Sequence, residues 1–169
     1  SQLNSGVKEI FSFGNTFAAL KEDGSVVTWG SSSYGGDSSS VRDQLSSGVK
    51  DIYGNGLACV ALKFDGSVVT WGESSYGGDS RSVSSQLNSG VKEIFSTVYA
   101  FAALKDDGSV VTWGSPFSGG DSSSGNSLSV TSDVSSQLNS EVKQIFSNDG
   151  AFAALKDDGS VVTWGASYS

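Results

Sequence analysis

An all-β stack of about four short antiparallel blades is the fold class this chain predicts, and three observations predict it. The phrase Ala-Leu-Lys, two residues ending in Asp, then Gly-Ser-Val-Val-Thr-Trp-Gly recurs four times, with its tryptophan at Trp29, Trp71, Trp113 and Trp164. The spacings are 42, 42 and 51 residues. A period of that length marks supersecondary modules whose apolar faces are covered by their neighbours. Each unit also carries an Asp-Gly pair between two β-rich runs, which is a strong hairpin signal. The arrangement is propeller-like, either a closed ring or a segment of a larger propeller or array, and the 169 residues form a single repeat domain.

In register, the units run 6–47, 48–89, 90–140 and 141–169, with 1–5 matching the tail of a unit. The chain thus opens within a repeat, which is the expectation for a processed product or a piece of something longer. In a closed ring, the same offset would let the N-terminal strand complete the last blade.

The first strand of each unit is the β-rich run Val7–Phe11, repeated at Val49–Tyr53, Val91–Phe95 and Val142–Phe146. The second is Phe17–Lys21 and the third Ser25–Trp29, joined by Glu22-Asp23-Gly24. Glycine tolerates positive φ there, and the aspartate can accept hydrogen bonds from nearby backbone amides. A serine-rich loop and Tyr34-Gly35-Gly36-Asp37 follow, and Ser38–Leu45 is expected to hold a weak fourth strand. The Gly, Ser, Thr and Val content opposes a helix anywhere. The third unit carries an extra stretch, Gly125 to Asp133.

Composition narrows the function classes. A net charge of −8, with Arg42 and Arg81 the only arginines, gives a surface that repels phosphate backbones, so no nucleic-acid partner is expected. No apolar run is long enough to span a bilayer, so no membrane insertion is expected. One cysteine, Cys59, excludes an internal disulfide framework. The absence of histidine removes the commonest acid–base residue and metal ligand. No catalytic set, metal site or cofactor is therefore expected.

The recurring residues have structural readings first. Asp23, Asp65, Asp107 and Asp158 sit where hairpin turns call for them. Asp37, Asp79 and Asp121 follow Gly-Gly pairs without the nonapeptide spacing of calcium repeats, so a turn is the simpler account. The tryptophans and the column Phe17, Cys59, Phe101 and Phe152 read as packing between blades.

The hairpin Ala-Leu, variable pair, Asp-Gly, Val, Trp-Gly, preceded by a Val-x-x-Ile strand, resembles the repeats of the regulator of chromosome condensation (RCC1) family. The likeness recurs along essentially the whole chain. It implies a β-propeller, which in that family usually has seven blades. The family's usual histidine before the second strand is replaced by Thr16, Ala58, Ala100 and Ala151, and its Gly-Gln-Leu-Gly by Gly35-Gly36-Asp37-Ser38 and its copies. Members act as guanine-nucleotide exchange factors, ubiquitin-ligase modules, light sensors and scaffolds. No catalytic insertion or basic arm matches residue by residue, so the resemblance carries none of those activities over.

Variation between units points further than their sameness. The loops between the first two strands differ in every unit, and equivalent loops of a repeat stack lie along one face. A protein partner is expected to meet Phe13, Asn15, Asn55, Leu57, Val98, Tyr99, Asn148 and Asp149 there. The alternative is drift in tolerant loops. The expected function is a noncatalytic protein-binding or scaffold module. Its rivals are a structural segment of a larger assembly or filament, self-associating through its end blades, and a calcium-dependent adhesion module.

Overall fold

Each of the four units folds into one three-stranded antiparallel sheet in a computed structural model, which describes residues 3–122 and 133–166. The inner strands are β1 (Val7–Phe13), β4 (Val49–Gly54), β7 (Val91–Ser96) and β10 (Val142–Ser147). The middle strands are β2 (Thr16–Lys21), β5 (Ala58–Lys63), β8 (Ala100–Lys105) and β11 (Ala151–Lys156). The outer strands are β3 (Val26–Gly30), β6 (Val68–Gly72), β9 (Val110–Gly114) and β12 (Val161–Gly165). The register repeats from blade to blade, for example Ile10 opposite Ala19 and Phe17 opposite Trp29 in the first.

The turns between middle and outer strands follow from the sequence. In the first, the Gly24 amide donates to the Lys21 carbonyl at 3.0 Å and the Lys21 amide to the Ser25 carbonyl at 2.9 Å. Gly24 closes the three-residue loop with φ of 76°, a left-handed conformation that side chains disfavour. Asp23 Oδ1 accepts the Ser25 amide and hydroxyl at 2.9 and 2.6 Å. Asp65, Asp107 and Asp158 repeat the arrangement.

The expected fourth strand is absent from Ser38–Leu45. That segment forms a 3-10 turn at Ser39–Val41, as Arg81–Val83 does in the second unit, where one turn of helix, α1 (Ser84–Leu87), follows. The third unit has a 3-10 turn at Ser135–Leu138. Local hydrogen bonds decide this: Asp37 Oδ1 accepts the Ser39 amide at 2.9 Å, and the Thr28 hydroxyl meets Ser38 Oγ and the Gly36 carbonyl. Serine and aspartate side chains offer the backbone these partners in place of a ladder. The expectation that no helical turn occurs is corrected by the same elements.

The core lies between blades. Because side chains alternate across a strand, each sheet sends one set backward and one forward. Ile52, Cys59, Ala61, Val69 and Trp71 of the second blade pack on Ala18, Leu20, Phe11, Phe13 and Val26 of the first. The same columns build the joint between blades two and three and that between three and four. No core cluster of the described residues joins blade four to blade one, so the stack is an open arc.

Candidate functional site

The four loops joining inner to middle strands converge on one opening of about 530 Å3, to which every blade contributes. Phe13, Asn55, Val98, Asn148 and Asp149 line it, beside Gly14, Gly56, Thr97 and serines 12, 96 and 147. Asn15, Leu57 and Tyr99, one residue further along their loops, do not. Two contacts tie neighbouring loops together. The Val98 amide donates to the Asp149 carbonyl at 2.9 Å, and a Cβ on Gly14 would stand 3.0 Å from the Gly56 carbonyl oxygen.

The loop column that holds Phe13 and Asn55 is mostly a capping position. Asn55 Oδ1 accepts the Leu57 and Ala58 amides at 3.0 and 2.8 Å, while its amide nitrogen donates to the Tyr76 carbonyl at 2.8 Å. Asn148 Oδ1 accepts the Gly150 and Ala151 amides. Thr97, which sequence reasoning passed over, does this work in the third blade: its hydroxyl accepts the Ala100 amide and donates to the Ser118 carbonyl, both at 3.0 Å. Only the first blade breaks the pattern. There Phe13 packs in the joint, against the face of Gly54, where any Cβ would stand 2.3 Å from the ring.

The exposed residues of this face, which include Asn15, Ser147 and Asn148, contain a short apolar and acidic set. Val98 and Tyr99 are exposed, Tyr99 against Tyr76 with ring centroids 4.9 Å apart, and Asp149 is open beside them. Such a surface can hold a protein side chain by apolar contact and a cation by charge; it contains no paired acid and base.

Other groups singled out by sequence have structural employment. Hydrogen bonds from Ser25, its hydroxyl first, hold Asp23 below its ordinary value of 3.8, and Asp65, Asp107 and Asp158 are lowered likewise by their serines. The Arg81 guanidinium, at 2.9 Å from Nε, brings Asp79 down to about 2. Burial pushes the Cys59 thiol up to about 12, which makes it inert as a nucleophile at neutral pH. Among the described residues no three acidic, histidine or cysteine side chains are grouped to hold a metal ion. The extra stretch Gly125 to Asp133 lies outside the described residues except for Asp133, whose carboxylate accepts the Ser135 amide at 3.0 Å.

The Gly-Gly-Asp loops carry a role that local reasoning missed. Trp71 Nε1 donates to the Gly35 carbonyl at 2.9 Å, Trp113 to Gly77 at 3.1 Å and Trp164 to Gly119 at 3.2 Å. Each latch joins a blade to the loop of the blade before it. A repeated Gly beside a repeated Trp was the available signal, but the partners lie 36 or 45 residues apart.

No family model matches the sequence, and no curated protein matches it. Solved structures do. Human WBSCR16 aligns at 19% identity over 98% of this chain and 49% of its own, with a TM-score of 0.57. Yeast RCC1 (Prp20), solved bound to Kap60, aligns at 18% over 94% of this chain and 43% of its own, with a TM-score of 0.59. The ectodomain of the Physcomitrella patens receptor kinase CR4 aligns at 16% over 99% and 41%, with a TM-score of 0.56. The chain therefore spans less than half the length of these proteins, and at such identities the likeness is one of fold. Four three-stranded sheets joined face to face in this way are an arc of RCC1-like β-propeller.

Proposed function

We propose that this chain is a noncatalytic protein-binding module that holds its partner at the face where the inner-to-middle-strand loops meet. The observation that carries the reading is the convergence of four loops of unlike sequence on one opening, above blades of nearly identical sequence. A rigid repeated frame presenting variable loops is the usual division of labour in recognition. Asn55, Thr97 and Asn148 keep the loops in fixed shapes, so little order remains to be imposed on binding. Phe13, Asn15, Asn55, Leu57, Val98, Tyr99, Asn148 and Asp149 form this face in our reading, with Val98 and Tyr99 as its apolar anchors and Asp149 favouring a basic partner. The net charge of −8 favours such a partner too. Among proteins of like fold, Prp20 has been studied for its binding to Gsp1p and histones.

The test is capture from extract of the source cells on immobilised chain, quantified against a Val98→Ser, Tyr99→Ser double variant. Loss of two anchors should lower recovery of the enriched proteins by at least about fivefold. Both side chains are exposed, so the circular dichroism spectrum should not change. Unchanged capture by the double variant would remove this face from consideration.

A further inference from the structure

Three joints of one design show what covers each kind of blade surface. The backward surface of a blade presents an isoleucine, the Phe or Cys column, an alanine, a valine and a tryptophan, and the forward surface of the preceding blade meets it. Ile52, Ile94 and Ile145 are 3%, 4% and 2% exposed in those joints, and Phe101 and Phe152 are 0% and 2%. The same columns in the first blade stand open: Ile10 is 61% exposed and Phe17 41%. At the other end the forward surface of the fourth blade is open, with Phe146 51% and Val161 60% exposed. Their counterparts Phe95 and Val110 are packed against the joint that follows them.

We propose that these two open surfaces are halves of a fourth joint, and that the first blade of one copy docks on the fourth blade of a second copy of this chain. The occupant is fixed by composition and shape: every backward surface that is covered here is covered by the forward surface of a like blade, and the spare forward surface is carried by the chain itself. Each joint runs head to tail, and two copies related by a twofold axis satisfy both pairs of open surfaces in one eight-bladed ring. Ile10, Phe17 and Trp29 would face Phe146, Leu155 and Val161 of the second copy. This proposal is independent of the loop face, since none of these residues lines the loop opening.

The test is solution mass by light scattering across about 1–100 µM chain, where association through such a contact depends on concentration. Wild-type chain should give twice its 17.4 kDa mass. Ile10→Lys and Val161→Lys each spoil one surface and leave the other whole, so each alone should run as a folded monomer. Mixed, the first variant still offers its fourth blade and the second its first blade, and a one-to-one pair should form at the higher concentrations. A wild-type chain that stays at 17.4 kDa throughout overturns the proposal. So does a dimer that survives either single substitution, or two monomeric variants that fail to pair on mixing.

Discussion

Glu141 is the one residue outside glycine with positive φ among the described residues, at 65°. It opens the fourth unit, where Gly6, Gly48 and Gly90 open the others at 70°, 73° and 72°. The backbone turn is needed because the Glu141 carbonyl accepts the Asp157 amide at 2.9 Å, as that of Gly90 accepts Asp106. A left-handed side chain costs roughly 1 kcal/mol, and its ion pair with Lys156, 3.6 Å long and open to solvent on the Glu141 side, returns only a few tenths. Glu141→Gly should therefore raise the unfolding free energy by about 0.5–1 kcal/mol in urea titration. A decrease would mean that the ion pair outweighs the strain. The sequence marked this position as the one break in the column of leading glycines, though not the sign of its effect. Cys59 was legible in the same way, as a small core residue in an aromatic column, and it is buried in the joint between the first two blades.

At the scale of elements, the hairpins were readable because their cause is local: Asp and Gly three and two residues before the outer strand set the turn by themselves. The serine-rich returns were misread as a fourth strand because β-rich residues are few there and Asx-type bonds from Asp37 and Asp79 capture the backbone first. The Gly-Gly loops were read only as turns, since their second duty depends on a residue in the next blade. That duty gives a test. A Cβ on Gly77, at φ of 104°, would stand 2.5 Å from the Phe101 ring, beside the carbonyl that Trp113 uses. Gly77→Ala should cost about 2–4 kcal/mol from backbone strain and displaced packing together, measured by thermal or urea unfolding. A change below about 1 kcal/mol would show that the loop yields without disturbing the joint.

For the whole molecule, the sequence supplied the number of blades and their order but not whether the arc closes, because closure rests on curvature summed over joints and on what meets the end blades. The open ends predict a gradient of stability. Blades two and three are packed on both sides, whereas blades one and four are packed on one. In hydrogen exchange on the Ile10→Lys variant, amides of β5 and β8 should outlast those of β2 and β11 by at least about tenfold. Equal protection across the four blades would mean that the arc opens only as one unit. The latch between tryptophan and glycine has a consequence for ancestry. Since each joint takes its glycine from one unit and its tryptophan from the next, a segment one full repeat long excised at any phase carries one of each. A gene of this kind can gain or lose whole units by recombination without inventing a new contact, so blade count is free to drift while the joint is inherited intact.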